Sequence, residues 1–260
     1  MTDFQFKEWY GVDDLLEVMK ILRSPEGCPW DKVQTHESIR MDFIEETYEA
    51  CDAIDKGNTD LLREELGDVL LQVVFHCRIE EEQGHFGFYD AVNELTHKLI
   101  ERHPHVFGEV KADTVGEALS SWNNVKQQMH GQKTYTDTLK GVSAAFPALM
   151  RAAKVGKRAA RAGMDFPDAA SALVSLESEI AEVKSADEEH LAEELGDMLF
   201  SAVNVIRKYG YDPELLLTRS TEKFIDRFEK TENMIGCEGK SMDSLDIDTL
   251  DLYWEKAKNL

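Results

Sequence analysis

Apolar positions recur every three to four residues over long stretches of the chain, and no segment alternates with the two-residue period of a strand. The first stretch runs from about Val12 to Arg23 and stops at Ser24-Pro25-Glu26-Gly27-Cys28-Pro29, a cluster of helix breakers. The second, about Glu37 to Lys56, offers Phe43, Ile44, Tyr48, Ala50 and Ile54 to a core and ends at Gly57-Asn58. Asn58 or Thr59 can cap the third, about Asp60 to Gln83, whose apolar positions are Leu61, Leu62, Leu66, Val69, Leu70, Val73 and Val74. Gly84 closes that stretch. A fourth follows from about Tyr89 to Arg102, before His103-Pro104-His105-Val106-Phe107-Gly108 breaks the pattern.

The second half repeats this order. Helices are predicted over about Pro147 to Arg161, Ala169 to Lys184, Glu188 to Tyr209 and Pro213 to Ile235. The fold class read from this is all-α, with two tandem units of about four helices each. The first unit takes residues 1–130, a polar linker residues 131–141, and the second unit residues 142–260. A repeat of this length points to a duplicated domain rather than a solenoid. Only six prolines occur in 260 residues, which agrees with helix.

The polar positions inside these helices repeat as well. Glu45-Glu46-x-x-Glu49 is followed by Glu65-x-x-Asp68, and Glu179-x-x-Glu182 by Glu194-x-x-Asp197. A three-residue step puts two side chains on one helix face. Two such helices packed together converge four carboxylates, and four adjacent anions need a cation. All-oxygen ligands suit Mg²⁺, with Mn²⁺ as a substitute. Leu66-Gly67 and Leu195-Gly196 recur beside the acids, and the small glycine is expected to let the two helices approach closely.

Cations and aromatics keep the same order. Lys98-x-x-x-Arg102 matches Lys223-x-x-x-Arg227, and Trp122-x-x-x-Lys126 matches Trp254-x-x-x-Lys258. A Lys and an Arg one turn apart can grip one polyphosphate. The tryptophan offers a flat face for a base, and the following lysine a further phosphate contact. Singly, each feature is ordinary: Glu-x-x-Glu decorates many solvated helices, and a lone Trp is more often core. Recurrence of the whole set in one order is what points to a metal-bound nucleoside phosphate.

The net charge is −22, which repels nucleic acid polymers and anionic membranes. Apolar runs such as Val69 to Phe75 are too short to span a bilayer. The start of the chain lacks a basic segment followed by a long apolar run. Cys28, Cys51, Cys77 and Cys237 form no CxxC pair, so free thiols are expected. These points lead to an expectation of cytoplasmic residence with neither nucleic acid polymer nor membrane as partner.

The chain resembles the MazG family of nucleoside triphosphate pyrophosphohydrolases, whose motif is EExxE, a variable gap, then ExxD. Glu45, Glu46, Glu49, Glu65 and Asp68 match it completely; in the second half Ser178 stands in place of the first Glu, and the gap Val183 to Glu193 is shorter. Cys28-Pro29-Trp30-Asp31 and His103-Pro104-His105-Val106-Phe107 belong to the resemblance too. It implies an all-α homodimer that uses Mg²⁺ to hydrolyse NTPs and dNTPs to monophosphate and pyrophosphate, clearing aberrant nucleotides. Glu46, Glu49, Glu65 and Asp68 would bind metal in one half, and Glu179, Glu182, Glu194 and Asp197 in the other. Lys223, Arg227, Trp254 and Lys258 would contact nucleotide, with Lys98, Arg102, Trp122 and Lys126 as counterparts. Glu45 or Glu46 would orient or deprotonate the attacking water, a role Ser178 cannot take.

Other readings compete. A di-iron carboxylate bundle needs two Glu-x-x-His motifs; Glu82-x-x-His85 and Glu94-x-x-His97 have no counterparts in the second half. A helical interaction module with a structural cation would leave the repeated Lys, Arg and Trp without a purpose. A pyrophosphatase dedicated to dUTP or phosphoribosyl-ATP remains an alternative within the same chemistry.

Overall fold

Caps and turns set where the helices begin and end. In the computed structural model, residues 4–108, 110–112, 114–129 and 134–258 are described, apart from the side chains of residues 120, 123, 124 and 126–129. The described residues form helices, turns and loops without a strand. The chain divides into two units, Met1–Lys126 and Gln127–Leu260.

The first unit holds α1 (Val12–Leu22), α2 (Arg40–Asp55), α3 (Thr59–Glu82), α4 (Phe88–Arg102), the single turn α5 (Pro104–Phe107) and most of α6 (Val115–Met129). Gly57, at φ 62°, makes the left-handed turn that ends α2. Asn58 then accepts from the Leu61 amide and starts α3. The two helices therefore fold back as a hairpin. Met19 of α1, Ile39, and Val74, Phe75 and Ile79 of α3 form the core beside it. Arg23 fastens the loop after α1: its guanidinium bonds Glu82 and the carbonyls of Asp31 (2.6 Å) and Gln34 (3.2 Å). The Arg23 side chain is only 5% exposed, so these partners are what make its burial tolerable.

The second unit holds α7 (Tyr135–Lys140), α8 (Ala148–Arg161), α9 (Ala169–Ser185), α10 (Leu191–Lys208), α11 (Pro213–Cys237) and α12 (Ile247–Ala257). Asp168, Asp212 and Asp246 cap α9, α11 and α12 through their carboxylates. Helices α9 and α10 form the hairpin equivalent to α2–α3. Arg207 and Lys208 at the end of α10 hold Asp165 in the preceding loop. These bonds, Arg207 first, hold the Asp165 carboxyl down at about 2.

Several boundaries differ from the sequence pattern. Helix α2 starts at Arg40 rather than near Glu37, because Thr35 and Ser38 exchange side-chain and backbone hydrogen bonds in a turn of their own. Helix α10 starts at Leu191 rather than Glu188, because Asp187 takes the His190 amide at 3.0 Å. Each unit also carries a helix after the expected four, α6 and α12, and these bear the two tryptophans. Within residues 131–141, α7 packs on α8, and Arg158 donates to the buried Thr138 carbonyl.

Two expectations are corrected. Of the α2 residues offered to the core, Ala50 is buried, but Ile44, Tyr48 (53%) and Ile54 (60%) are exposed; of the apolar positions of α3, Val74 is buried and Leu66 exposed. Helix α2 packs chiefly on α3, so the periodic apolar stripe is wider than the surface its own unit covers. The glycines beside the acids do not mediate close helix approach within the chain either. A Cβ built at Gly67 or Gly196 meets nothing within 4 Å.

Candidate metal and phosphate sites

Glu46 and Glu49 lie one turn apart on α2, and Glu65 faces them from α3. One oxygen from each of the three lies within 4.8 Å of the others. The second unit repeats this with Glu179 and Glu182 of α9 and Glu194 of α10, again within 4.8 Å. Asp68 and Asp197 stand one turn beyond Glu65 and Glu194, outside the two trios, and act on them by charge.

Desolvation, then the charges of Asp68, Glu49, Glu65 and Glu45, push the Glu46 carboxyl above its usual range. Glu65 is raised by desolvation, by Glu49, Glu64 and Asp68, and by a hydrogen bond with Glu49. Glu194 is raised by desolvation and then by Glu182, Asp197, Glu193 and Glu179. Glu46, Glu65 and Glu194 thus hold their protons more tightly than isolated glutamates. Ligand oxygens around an octahedral Mg²⁺ lie about 3 to 4 Å apart. The donor type, the spacing and the mutual repulsion therefore fit an oxygen-seeking divalent cation. Glu45 is exposed beside the first trio. In its place, Ser178 donates to Glu182 Oε1 at 3.2 Å.

The cationic and aromatic residues gather elsewhere, on α4 with α6 and on α11 with α12. Arg102 Cζ lies 5.2 Å from the centre of the Trp122 ring, and Arg227 Cζ lies 5.1 Å from that of Trp254. Phe224 also approaches the Trp254 ring, at 4.9 Å. The aromatic face expected to be free for a base thus carries a guanidinium in both units. Arg102 is buried, Lys98 half-buried and Lys223 exposed. Lys258 is paired with Glu255 on the surface of α12. The side chain of Lys126 lies outside the described residues.

The sequence pattern missed two features. Ser201, one turn beyond Asp197, is buried and donates to Glu179 Oε1 at 3.4 Å; Gln72 is buried at the matching place beyond Asp68. The recurrence of a polar residue at a buried position was the signal available. The other feature is a network in the first unit. His36 Nδ1 and His76 Nδ1 are 2.7 Å apart, and Glu80 bridges His36 and His85 at 2.7 Å each. His76 and Glu80 stand one turn apart on α3, but nothing in the sequence announces His36 as their partner.

A profile of the MazG nucleotide pyrophosphohydrolase domain matches residues 34–107 and again residues 159–231. The chain belongs to the MazG family. Each matched stretch holds one carboxylate trio and one Lys/Arg pair, so the family accounts for both units and for the tandem all-α arrangement. Over 247 residues, 95% of either chain, the sequence is 44% identical to the nucleoside triphosphate pyrophosphohydrolase/pyrophosphatase MazG of Thermotoga maritima. It is 39% identical over 254 residues to the nucleoside triphosphate pyrophosphohydrolase of Escherichia coli, covering 95% of this chain and 97% of that one. A solved structure of a mazG-related protein from Thermotoga maritima aligns with a TM-score of 0.39 at 27% identity, over 45% of this chain and 99% of that one.

Proposed function

We propose that this protein is a nucleoside triphosphate pyrophosphohydrolase that hydrolyses NTPs and dNTPs to monophosphate and pyrophosphate, with Mg²⁺ as cofactor and Mn²⁺ as a substitute. The observation that carries this reading is the carboxylate trio, formed in both units and accompanied in both by a Lys/Arg pair. A bound divalent ion supplies charge neutralisation at the phosphates and an acidified water. Glu46, Glu49, Glu65 and Asp68 would hold it in the first unit, and Glu179, Glu182, Glu194 and Asp197 in the second.

The chain's own residues do the rest. Glu45 or Glu46 would accept the proton of the attacking water. Lys223 with Arg227, and Lys98 with Arg102, would bind the triphosphate and offset the charge that develops on departing pyrophosphate. No helix among the described residues is long and apolar enough to cross a membrane. We assign the enzyme to the cytoplasm, where it would clear aberrant nucleotides, and to a homodimer. The exposed Ile44, Tyr48 and Leu66, and Leu195, Leu199 and Phe200 in the second unit, supply an apolar surface for that association.

A product assay tests the reading. The protein is incubated with mixed NTPs and dNTPs, with Mg²⁺ or with EDTA, and the products are resolved by ion exchange. Mg²⁺-dependent monophosphate plus pyrophosphate is the expected result. Diphosphate plus phosphate would overturn the reaction type, and no turnover would leave a metal-binding helical module.

A further inference from the structure

Trp254 lies half-buried on α12, with the Arg227 guanidinium over its ring. Trp122 on α6 carries Arg102 in the same way. The two distances, 5.1 and 5.2 Å, agree although the surroundings do not: Phe224 packs on Trp254, whereas the matching residue of α4 is Leu99. The residues flanking the tryptophans differ too, Ser121 and Asn123 against Tyr253 and Glu255. The Arg–Trp contact is kept in both units while these neighbours change.

We propose that each tryptophan is a positioning residue acting through its arginine, which it holds ready for the substrate's phosphates, and is not a platform for the base. This rests on the nucleotide reading above. The face of an indole attracts a cation. A base stacked on that face would have to displace the guanidinium, and the Trp254 ring is further occupied by Phe224. A guanidinium over a ring keeps its N–H donors at its rim, where they suit phosphate oxygens.

The chain's acidity makes such a device useful. It carries 51 Asp and Glu against 29 Lys and Arg, so an arginine on a flexible stem readily finds a carboxylate. Among the described residues no carboxylate pairs with Arg227. The tryptophan keeps that cation out of the surrounding acid field without neutralising it.

The test uses full-length protein with Glu49→Gln as background, so that the second unit is read alone. Trp254→Phe, Trp254→Leu, Arg227→Ala and the Leu/Ala double variant are compared on one purine and one pyrimidine triphosphate. Binding of Mg²⁺-tripolyphosphate, which has no base, is measured by calorimetry. The Leu variant is expected to raise KM about tenfold, by the same factor for both nucleotides, and to weaken tripolyphosphate binding. The Phe variant should retain most of both properties, and the Leu change should add nothing once Arg227 is gone. A loss confined to nucleotides, larger for the purine and undiminished without Arg227, would overturn the proposal. If wild-type protein and every variant fail to turn over nucleotide while tripolyphosphate binding still depends on Trp254, the hydrolase reading fails and the positioning role stands. Unchanged tripolyphosphate binding in the Leu variant overturns it whatever the turnover.

Discussion

Glu65 on α3 faces Glu49 on α2 with carboxylate oxygens within 4.8 Å of each other, and desolvation with the neighbouring charges raises the Glu65 carboxyl above its usual range. Glu46, Glu65 and Glu194 all bind protons more tightly in the folded chain than in the unfolded one. A raised carboxyl stabilises the fold below its ordinary range, and that contribution is lost as pH rises through the raised value. Metal-free protein should therefore show a melting temperature that declines as pH rises above the ordinary 4.5 of a glutamate, and added Mg²⁺ should stabilise it more at higher pH. Thermal melts across pH, with EDTA or Mg²⁺, check this. A Mg²⁺ effect independent of pH would argue that the trios do not bind the ion.

Removing one ligand from each trio separates the two units. Glu49→Gln and Glu182→Gln should each abolish metal-dependent turnover in their own unit, with a fall in kcat of at least about a hundredfold per site. Steady-state rates of the two single variants and the double one decide. A double variant with wild-type turnover would remove the trios from catalysis.

Asp165 predicts a separate acid limb. Its carboxyl is held at about 2 by Arg207 and Lys208, below the ordinary 3.8. The stabilisation is therefore complete above 3.8 and is lost as pH falls through about 2. Asp165→Asn should lower stability by roughly 2 kcal/mol at neutral pH, since the Arg207 side chain is nearly buried. Chemical denaturation at pH 7 and pH 3 measures this, and the variant's deficit should shrink at the lower pH.

Gly67 and Gly196 sit inside helices facing open space. Replacing either with alanine should raise stability by about 0.5–1 kcal/mol, through helix propensity alone. Melts of dilute protein test the sign. Destabilisation that deepens with protein concentration would instead place a second copy against the glycine.

The hairpins were legible because helix period, caps and breakers are local. Asn58 announces α3 by itself, and the acids announce their shared face by their three-residue step. Pairings between distant residues were not legible. The sequence holds Arg227 and Trp254 but not the contact between them, so the indole read as a free platform. Periodicity marked Tyr48 and Ile54 as apolar without saying whether the covering surface belongs to the same chain. Likewise the apolar period started α2 near Glu37, whereas the mutual hydrogen bonds of Thr35 and Ser38 delay it to Arg40.

The two hairpins also differ in reach. Helix α2 runs six residues past Glu49 and α3 begins six before Glu65, whereas α9 runs three past Glu182 and α10 begins three before Glu194. The first hairpin has telescoped outward by about one turn on each arm, and its trio still closes within the same 4.8 Å. The added residues lie between the trio and the tip on both arms, so the tip can lengthen or shorten while the three carboxylates keep their spacing. The distance from trio to tip is thereby a free dimension of this architecture, in which one copy can change its reach without altering its carboxylate geometry.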